Sequence, residues 1–143
     1  AGFLTGVDAV RRILGDAYAR PRWIGLVPVD APLASLCFPR LLEAVAHLAA
    51  QGKQVDGVSA CADGYRQNLI GVFSLEAVSR FPASEWVNRS MRSLLAQLNT
   101  VDVEVPASWV ADIDTPVDLQ RAQTYVMDGE LRTEGESSSE RID

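Results

Sequence analysis

Apolar runs and helical stripes alternate along the chain, which is the arrangement typical of an α/β protein. An early helical stripe runs from Val7 to Leu14, where Gly15 closes the helix. The residues from Ile24 to Val29 are mostly bulky and apolar, so they predict a strand that is buried on both faces and ends at Asp30. The stripe from Ser35 to Ala50 predicts a helix that covers the sheet.

The second half of the chain continues the alternation with shorter elements. The pattern predicts two strands joined as a hairpin, two short helices, an edge strand with one wet face, a short strand that runs into a turn, and a closing helix. In chain order these elements are Val55 to Cys61, Leu69 to Phe73, Leu75 to Phe81, Ser90 to Leu98, Val101 to Val105, Trp109 to Thr115 and Pro116 to Met127.

Composition and charge divide the chain into a domain and a tail. The 143 residues are 48% hydrophobic and carry a net charge of -6, which fits one domain over residues 1–127. Residues 128–143 hold six acids and two arginines, so this segment carries -4 and predicts a disordered acidic tail. The rest of the chain is nearly neutral and lacks a basic stripe, which excludes nucleic acid as a partner.

Several other classes of protein are disfavoured by what the chain contains. It has no apolar run of eighteen residues and no signal-peptide pattern at its start, so we predict a cytoplasmic protein without a membrane association. Cys37 and Cys61 form no CxxC motif, and we expect both to be reduced core residues. The single histidine, His47, falls on the polar side of its predicted helix, which disfavours histidine-based nucleophilic catalysis.

Three acids follow predicted strands, where ligands gather in sheets of this kind. Asp30 can hold a divalent cation, and its alternative role as a helix cap is weaker because Ser35 is better placed to cap. Asp112 and Asp114 share one side of a predicted strand end. Asp114 or Thr115 can cap the helix that follows. Because the two acids cannot both be the cap, at least one of them is left to bind another partner.

Two further groups of residues have both a functional and a structural interpretation. Gly2 and Gly6 flank the beginning of a predicted helix, where they permit close approach of a phosphate or a base, or serve packing alone. The triplet Arg66, Gln67 and Asn68 lies at the entrance of a predicted strand, where it meets a ligand or forms a solvated turn.

Taken in order, five blocks of the sequence resemble the MobA-like NTP transferases, the molybdenum cofactor guanylyltransferase family. The resemblance extends over residues 2 to 125 and implies a Rossmann-like three-layer nucleotidyltransferase fold with a mostly parallel sheet. The blocks are Gly2-Phe3-Leu4-Thr5-Gly6, Val29-Asp30-Ala31-Pro32-Leu33, Arg66 to Phe73, Arg92-Ser93-Leu94-Leu95 and Asp112 to Leu119.

On the nucleotide side, the resemblance implies that Asp30 is the family's Mg²⁺-binding acid. Gly2 and Gly6 match the GPLAG-type segment beside the nucleotide, although Phe3 stands where proline is usual. The implied reaction is Mg²⁺-dependent transfer of GMP, in which the terminal phosphate of the acceptor attacks the α-phosphorus of GTP and pyrophosphate leaves.

On the acceptor side, Arg66, Gln67 and Asn68 match the segment that faces the pterin-phosphate acceptor, although Asn68 stands where proline is common. Asp112 and Asp114 match the N/D-x-N/D-T-P block on the same side of the site.

The family's opening strand and its signature loop, LAGGxSxRMGxxK, have no counterpart in this sequence. Lys53 is the only lysine, and it lies in a predicted turn. We therefore expect the chain to represent the later part of the family's domain, to be inactive by itself, and to self-associate through an unpaired sheet edge beside the strand that ends at Asp30. The alternatives are a noncatalytic α/β module that binds a nucleotide or a protein, and a relative that uses CTP or a sugar phosphate.

Overall fold

The computed structural model describes residues 2–14 and 23–137, and it contains a four-stranded sheet with helices on both faces. The order of the strands across the sheet is β1-β3-β2-β4. The strands are β1 (Trp23–Leu26), β2 (Gly57–Ala62), β3 (Tyr65–Ser74) and β4 (Thr100–Glu104), and the α-helices are α1 (Gly2–Leu14), α2 (Cys37–Ala50), α3 (Leu75–Val78), α4 (Met91–Leu95) and α5 (Pro116–Ser137).

Three of the four strands run in one direction. β2 pairs in parallel with β4, whereas β3 lies between β1 and β2 and is antiparallel to both. The predicted α/β class is confirmed, and β3 runs the opposite way because it is the return strand of a hairpin. Strand β1 pairs only with β3 among the described residues, and self-association through its outer side stays a prediction.

The predicted hairpin is confirmed, and its turn has the expected chemistry. Asp63 and Gly64 both have positive φ angles, 52° and 79°, as a two-residue type I′ turn requires. The pairing shifts further along, because Ser59 lies opposite Gly71 while Cys61 lies opposite Arg66. Residues 67–70 therefore bulge opposite a single residue of β2. The polar triplet predicted in front of the strand lies inside β3.

One face of the sheet is covered by α2. Leu41 and Cys37 of this helix are fully buried, and they pack with side chains that alternate along β2 and β3. These strand residues are Val58, Ala60, Ala62, Ile70 and Val72. The segment between β4 and α5 packs against the same layer through Trp109 and Val110.

The other face is covered by α1, α3, α4 and the 3₁₀ turn Ala83–Trp86, which pack around Phe73. The Phe73 ring is fully buried and fills the space beside two glycines. A Cβ atom built on Gly57 would lie 2.5 Å from this ring, and one built on Gly71 would lie 2.7 Å from it. The two glycines thus make room for the largest side chain that is fully buried among the described residues.

Two predicted strand ends differ from the structure. β1 ends at Leu26 instead of continuing to Asp30, because Pro28 has no N–H group to donate to a neighbouring strand. The predicted strand from Trp109 to Thr115 is also wrong. A 3₁₀ turn over Ala107–Trp109 and irregular backbone up to the start of α5 take its place.

The ends of the first and last helices differ as well. α1 begins at Gly2, because Leu4 and Val7 extend its apolar stripe onto the core, so Gly2 and Gly6 lie inside the helix and not beside its beginning. The predicted end of this helix at Gly15 falls outside the described residues. α5 continues to Ser137 instead of ending at Met127, so residues 128–137 of the predicted tail are helical. The division of the chain at residue 127 stays a prediction.

Within the described residues, no helix combines the length and the apolar character that crossing a bilayer would need.

Candidate functional site

The candidate site lies at the edge of the sheet where β1, β2 and β4 end and β3 begins, which we call the carboxyl edge. The loop after β1 contains Asp30, the turn after β2 contains Asp63, and Arg66 lies near the start of β3. Ligands of α/β sheets bind in crevices outside the carboxyl ends of parallel strands. Two groups of polar side chains lie here, one on the α2 side of the sheet and one on the α4 side.

The first group is the acid rim, which we define as Asp30, Asp112 and Asp114. The backbone N–H of Ile113 donates a hydrogen bond of 2.8 Å to the carbonyl oxygen of Asp30, so the two acidic loops are joined side by side. All three acids are exposed. The structure thus brings Asp30 together with a pair of acids that lie about eighty residues later in the sequence.

Neither predicted cap of α2 acts as one. The 3₁₀ turn before this helix and the helix itself begin without any side-chain hydrogen bond from the capping residues, which are Leu33 and Leu36. Asp30 lies outside both, and Ser35 lies within the 3₁₀ turn. The Asp30 carboxylate is therefore not engaged in capping, which was the alternative to its ligand-binding role.

Thr115 caps α5. Of the two predicted caps, Asp114 and Thr115, the second is therefore confirmed. Thr115 Oγ accepts a hydrogen bond from the N–H of Asp118 (3.3 Å), and Asp118 Oδ2 accepts one from the N–H of Thr115 (3.0 Å), which forms a reciprocal capping box. A hydrogen bond from the Thr115 hydroxyl is the main cause that lowers the pKa of Asp118. Asp112 and Asp114 are thereby both free of the capping role.

The segment that carries Asp112 and Asp114 is anchored at its start by Trp109. The indole Nε1–H of Trp109 donates to the hydroxyl of Tyr125 in α5 (2.7 Å), and the guanidinium of Arg40 lies 5.3 Å above the indole ring. Arg40 also donates to the carbonyl oxygen of Glu104 at the end of β4. These contacts tie the acid rim to α2, β4 and α5.

The second group lines a cleft of about 440 Å³ on the α4 side, which we call the arginine cleft. Its lining residues are Tyr65, Arg66, Asn68, Arg92, Leu95 and Ala96. The predicted residues Arg66 and Asn68 are thus brought together, whereas Gln67 does not line the cleft and donates to the carbonyl oxygen of Tyr65. A second cleft, of about 460 Å³, runs along one face of α5 and is lined by that helix alone.

Sequence reasoning did not find the partners of Arg66. Its Nε donates to Asp102 Oδ1 (2.5 Å) and its Nη1 donates to Thr100 Oγ (3.1 Å), and both partners belong to β4. The alternation of apolar and polar residues in β4 indicates only that one face of this strand is exposed to solvent. Arg92 appeared in the sequence only as part of a family block, and its helical position on α4 gave no sign of the cleft.

Cysteine chemistry does not contribute to the site. Cys37 and Cys61 are free and buried, which confirms their prediction as reduced core residues. Burial raises the pKa of both thiols, and a hydrogen bond with Glu104 raises the pKa of Cys61 further. Both side chains therefore remain neutral thiols near pH 7, which are poor nucleophiles. His47 is exposed and hydrogen-bonded to Gln51, in line with its predicted surface position.

In the part of the chain that the structure describes, no three His, Cys, Asp or Glu side chains are arranged as a metal cage. Mg²⁺ does not require such a cage, because it is commonly held by one or two carboxylates together with substrate phosphates and water. Asp30 can serve as such a carboxylate at the carboxyl edge.

The fold can be compared with those of known proteins. No family model and no curated protein sequence matches this chain. Among solved structures, the chain is similar to molybdopterin-guanine dinucleotide biosynthesis protein A from Archaeoglobus fulgidus, with a TM-score of 0.52 and 20% sequence identity over 87% of this chain. It spans 63% of the length of that protein. At this identity the similarity shows that the fold is shared.

A second solved structure, the Aquifex aeolicus VF5 protein Aq1419, has a TM-score of 0.48 and 15% identity over 80% of this chain and 55% of its own. Likeness at that level supports no further argument.

Proposed function

We propose that this chain carries the metal-binding and acceptor-binding side of a nucleotidyltransferase site, for Mg²⁺-dependent transfer of GMP from GTP to a pterin phosphate. The observation that carries the proposal is the hydrogen bond from Ile113 N–H to Asp30 C=O, because it joins the two acidic loops at the carboxyl edge. The fold shared with molybdopterin-guanine dinucleotide biosynthesis protein A supports the same class of reaction.

The acid rim would be the metal side of the site. Three exposed carboxylates repel a nucleotide phosphate unless a cation lies between them, which favours binding of phosphate and cation together. Mg²⁺ supplies neutralisation of phosphate charge when it is bound. Asp30 would hold the ion. The family resemblance implies that Asp112 and Asp114 belong to the acceptor side, but we assign them to the metal side because Ile113, which lies between them, is hydrogen-bonded to Asp30. They would add negative charge beside the ion and orient water around it.

The arginine cleft would be the acceptor side. Arg66 and Arg92 provide two permanent positive charges for a phosphate monoester, and Asn68 provides an amide that can donate or accept. Tyr65 lines the same cleft and is 76% exposed, so its ring offers a flat surface on which a pterin can stack. Gln67 would contribute only by holding the backbone at Tyr65.

The nucleotide contacts proposed for Gly2 and Gly6 have weaker support. Both glycines lie in α1, and a Cβ atom on either would meet no neighbouring atom within 4 Å, so nothing in their packing calls for glycine. The alternative to GTP and a pterin phosphate is a reaction that uses CTP or a sugar phosphate.

Mn²⁺ provides a direct test of the metal side, because this paramagnetic ion broadens nearby amide signals. We expect Mn²⁺ with GTP to broaden the amide signals of Asp30 and Ile113 in the chain labelled with ¹⁵N, and Asp30→Asn to abolish the effect. Asp8→Asn is the matched control, because Asp8 lies on α1, which covers the opposite face of the sheet from α2.

Broadening that is absent, or that persists in Asp30→Asn, would contradict the metal assignment. In any longer form of the protein that transfers GMP, the same substitution should reduce turnover at least about a hundredfold. In a longer form of the protein, binding of Mn²⁺ and GTP without transfer to any phosphate acceptor would instead favour a noncatalytic nucleotide-binding module.

A further inference from the structure

The guanidinium of Arg66 is held at two points by residues of another strand. Thr100 and Asp102 are two residues apart on β4, so their side chains share one face of the sheet. That face is also the face of Arg66, because the intervening β2 pairs Cys61 with Arg66 and Ser59 with Asp102. The contact therefore spans β2 and joins β3 to β4, the outermost strand on that side of the described sheet.

This arrangement fixes the orientation of the planar guanidinium while leaving part of it available. An arginine has five N–H groups, and the bonds to Asp102 and Thr100 engage one on Nε and one on Nη1. Three N–H groups remain for a ligand. The side chain is 32% exposed and lines the arginine cleft, so these donors belong to a site that solvent and ligands can reach.

Stability alone does not account for this contact. The Asp102 side chain is 41% exposed, and ion pairs at that exposure contribute little to folding. The ion pair between Arg80 and Asp56 differs, because Asp56 also accepts a hydrogen bond from the backbone N–H of Asn99 and so ties the segment before β4 to the segment before β2.

We infer that Asp102 and Thr100 are positioning residues, which hold the Arg66 guanidinium in the orientation that binds a phosphate monoester in the arginine cleft. This inference rests on the acceptor role proposed for the cleft. Asp102 has a second effect, since its charge offsets part of the attraction between Arg66 and an anion. Orientation and charge can be separated by substitution.

Inorganic phosphate is the probe, and its dissociation constant is measured by calorimetric titration of the whole chain. Asp102→Asn and Asp102→Ala have the same net charge, but only asparagine keeps a hydrogen-bond acceptor for Arg66 Nε. We expect Asp102→Asn to bind phosphate about three- to tenfold more tightly than Asp102→Ala, which is the effect of one hydrogen bond. Equal affinities of the two variants would overturn the inference.

Thr100 offers an independent comparison that avoids any change of charge. We expect Thr100→Val, which removes the hydroxyl at nearly constant volume, to weaken phosphate binding about two- to fivefold, and Thr100→Ser to restore it. Failure of serine to rescue the affinity would contradict a positioning role. Arg80→Gln, which breaks the ion pair with Asp56, is the control and should leave the affinity unchanged. Melting temperatures identify any variant that fails to fold.

The outcomes distinguish this inference from the proposed function. If the unsubstituted chain and Arg66→Ala bind phosphate equally poorly, the acceptor role of the cleft fails and the inference fails with it. If the unsubstituted chain binds phosphate but Asp102→Asn and Asp102→Ala do not differ, only the positioning role fails. Failure of the Mn²⁺ experiment at Asp30 would leave the cleft result standing, because that experiment does not involve the cleft.

Discussion

The acid rim and the arginine cleft lie at the same edge of the sheet but are built in different ways. In the acid rim main-chain N–H groups make positioning bonds: that of Ile113 donates to the Asp30 carbonyl, and those of Thr115 and Asp118 donate within the capping box that starts α5. In the cleft, side chains position the key residue, because Arg66 is held by Asp102 and Thr100. Carboxylates of the rim can therefore be replaced without disturbing the fold. In the cleft, by contrast, the orientation of Arg66 depends on the side chains of Asp102 and Thr100.

The largest expected effect is a loss of stability when the packing of β3, the strand that carries Arg66, is disturbed. Phe73 lies on β3, the strand that carries Arg66, and its buried ring packs edge-on against Phe3 with 5.9 Å between centroids. We expect Phe73→Ala to lower the free energy of unfolding by about 3–5 kcal/mol, measured by urea denaturation. Val29→Ala beside the acid rim is the control, because Val29 is fully exposed and should change it by less than about 0.5 kcal/mol. Equal losses of unfolding free energy in Phe73→Ala and Val29→Ala would contradict this difference between the cleft and the rim.

An intermediate effect is expected at the capping box beside the acid rim. Thr115→Ala removes the cap of α5 and should cost about 1 kcal/mol in urea denaturation, while Thr115→Ser should keep most of the stability. Asp114→Ala is the neighbouring control and should be nearly neutral, since Asp114 is exposed and is not the cap. A loss at Asp114 as large as that at Thr115 would show that Asp114 is the cap after all.

The smallest effect concerns Asp118, whose pKa lies below its ordinary value mainly because the Thr115 hydroxyl donates to the carboxylate. A lowered pKa means that the ionised form favours the folded state, so its contribution is complete above the ordinary pKa and is lost as the pH falls through the folded value. We expect the melting temperature of the unsubstituted chain to exceed that of Asp118→Asn at pH 7. The difference should shrink below about pH 4. A difference that stays constant with pH would contradict this assignment.

The sequence predicts local structure well where one short pattern decides it. The Asp63-Gly64 turn specifies the hairpin by its backbone preference, and the helical stripe after Asp30 specifies a helix that covers the sheet. The resemblance of ordered blocks anticipated the shared fold, although no single block was specific. The reduced and buried state of both cysteines also followed from their number and spacing.

What the sequence could not predict depends on pairing between distant segments. Arg66 and Asp102 are 36 residues apart, and their contact depends on the register of two strand pairs and on the bulge in β3. The apolar neighbours of Asp30 predict that it ends a strand, but the missing N–H group of Pro28 ends the strand pairing earlier. Gly2 was placed outside a helix because the packing of Leu4 on the core was not visible in the pattern.

The bulged hairpin also bears on the order in which the chain assembles. Strands β2 and β3 close a loop of two residues, whereas β4 reaches β2 only after residues 63–99 have been organised between them. Because closing a longer loop costs more conformational entropy, the β2–β3 pairing should form before β4 docks. An intermediate at that stage would present Arg66 on a formed hairpin without Asp102 and Thr100, so the orientation of its guanidinium would be fixed only when β4 docks.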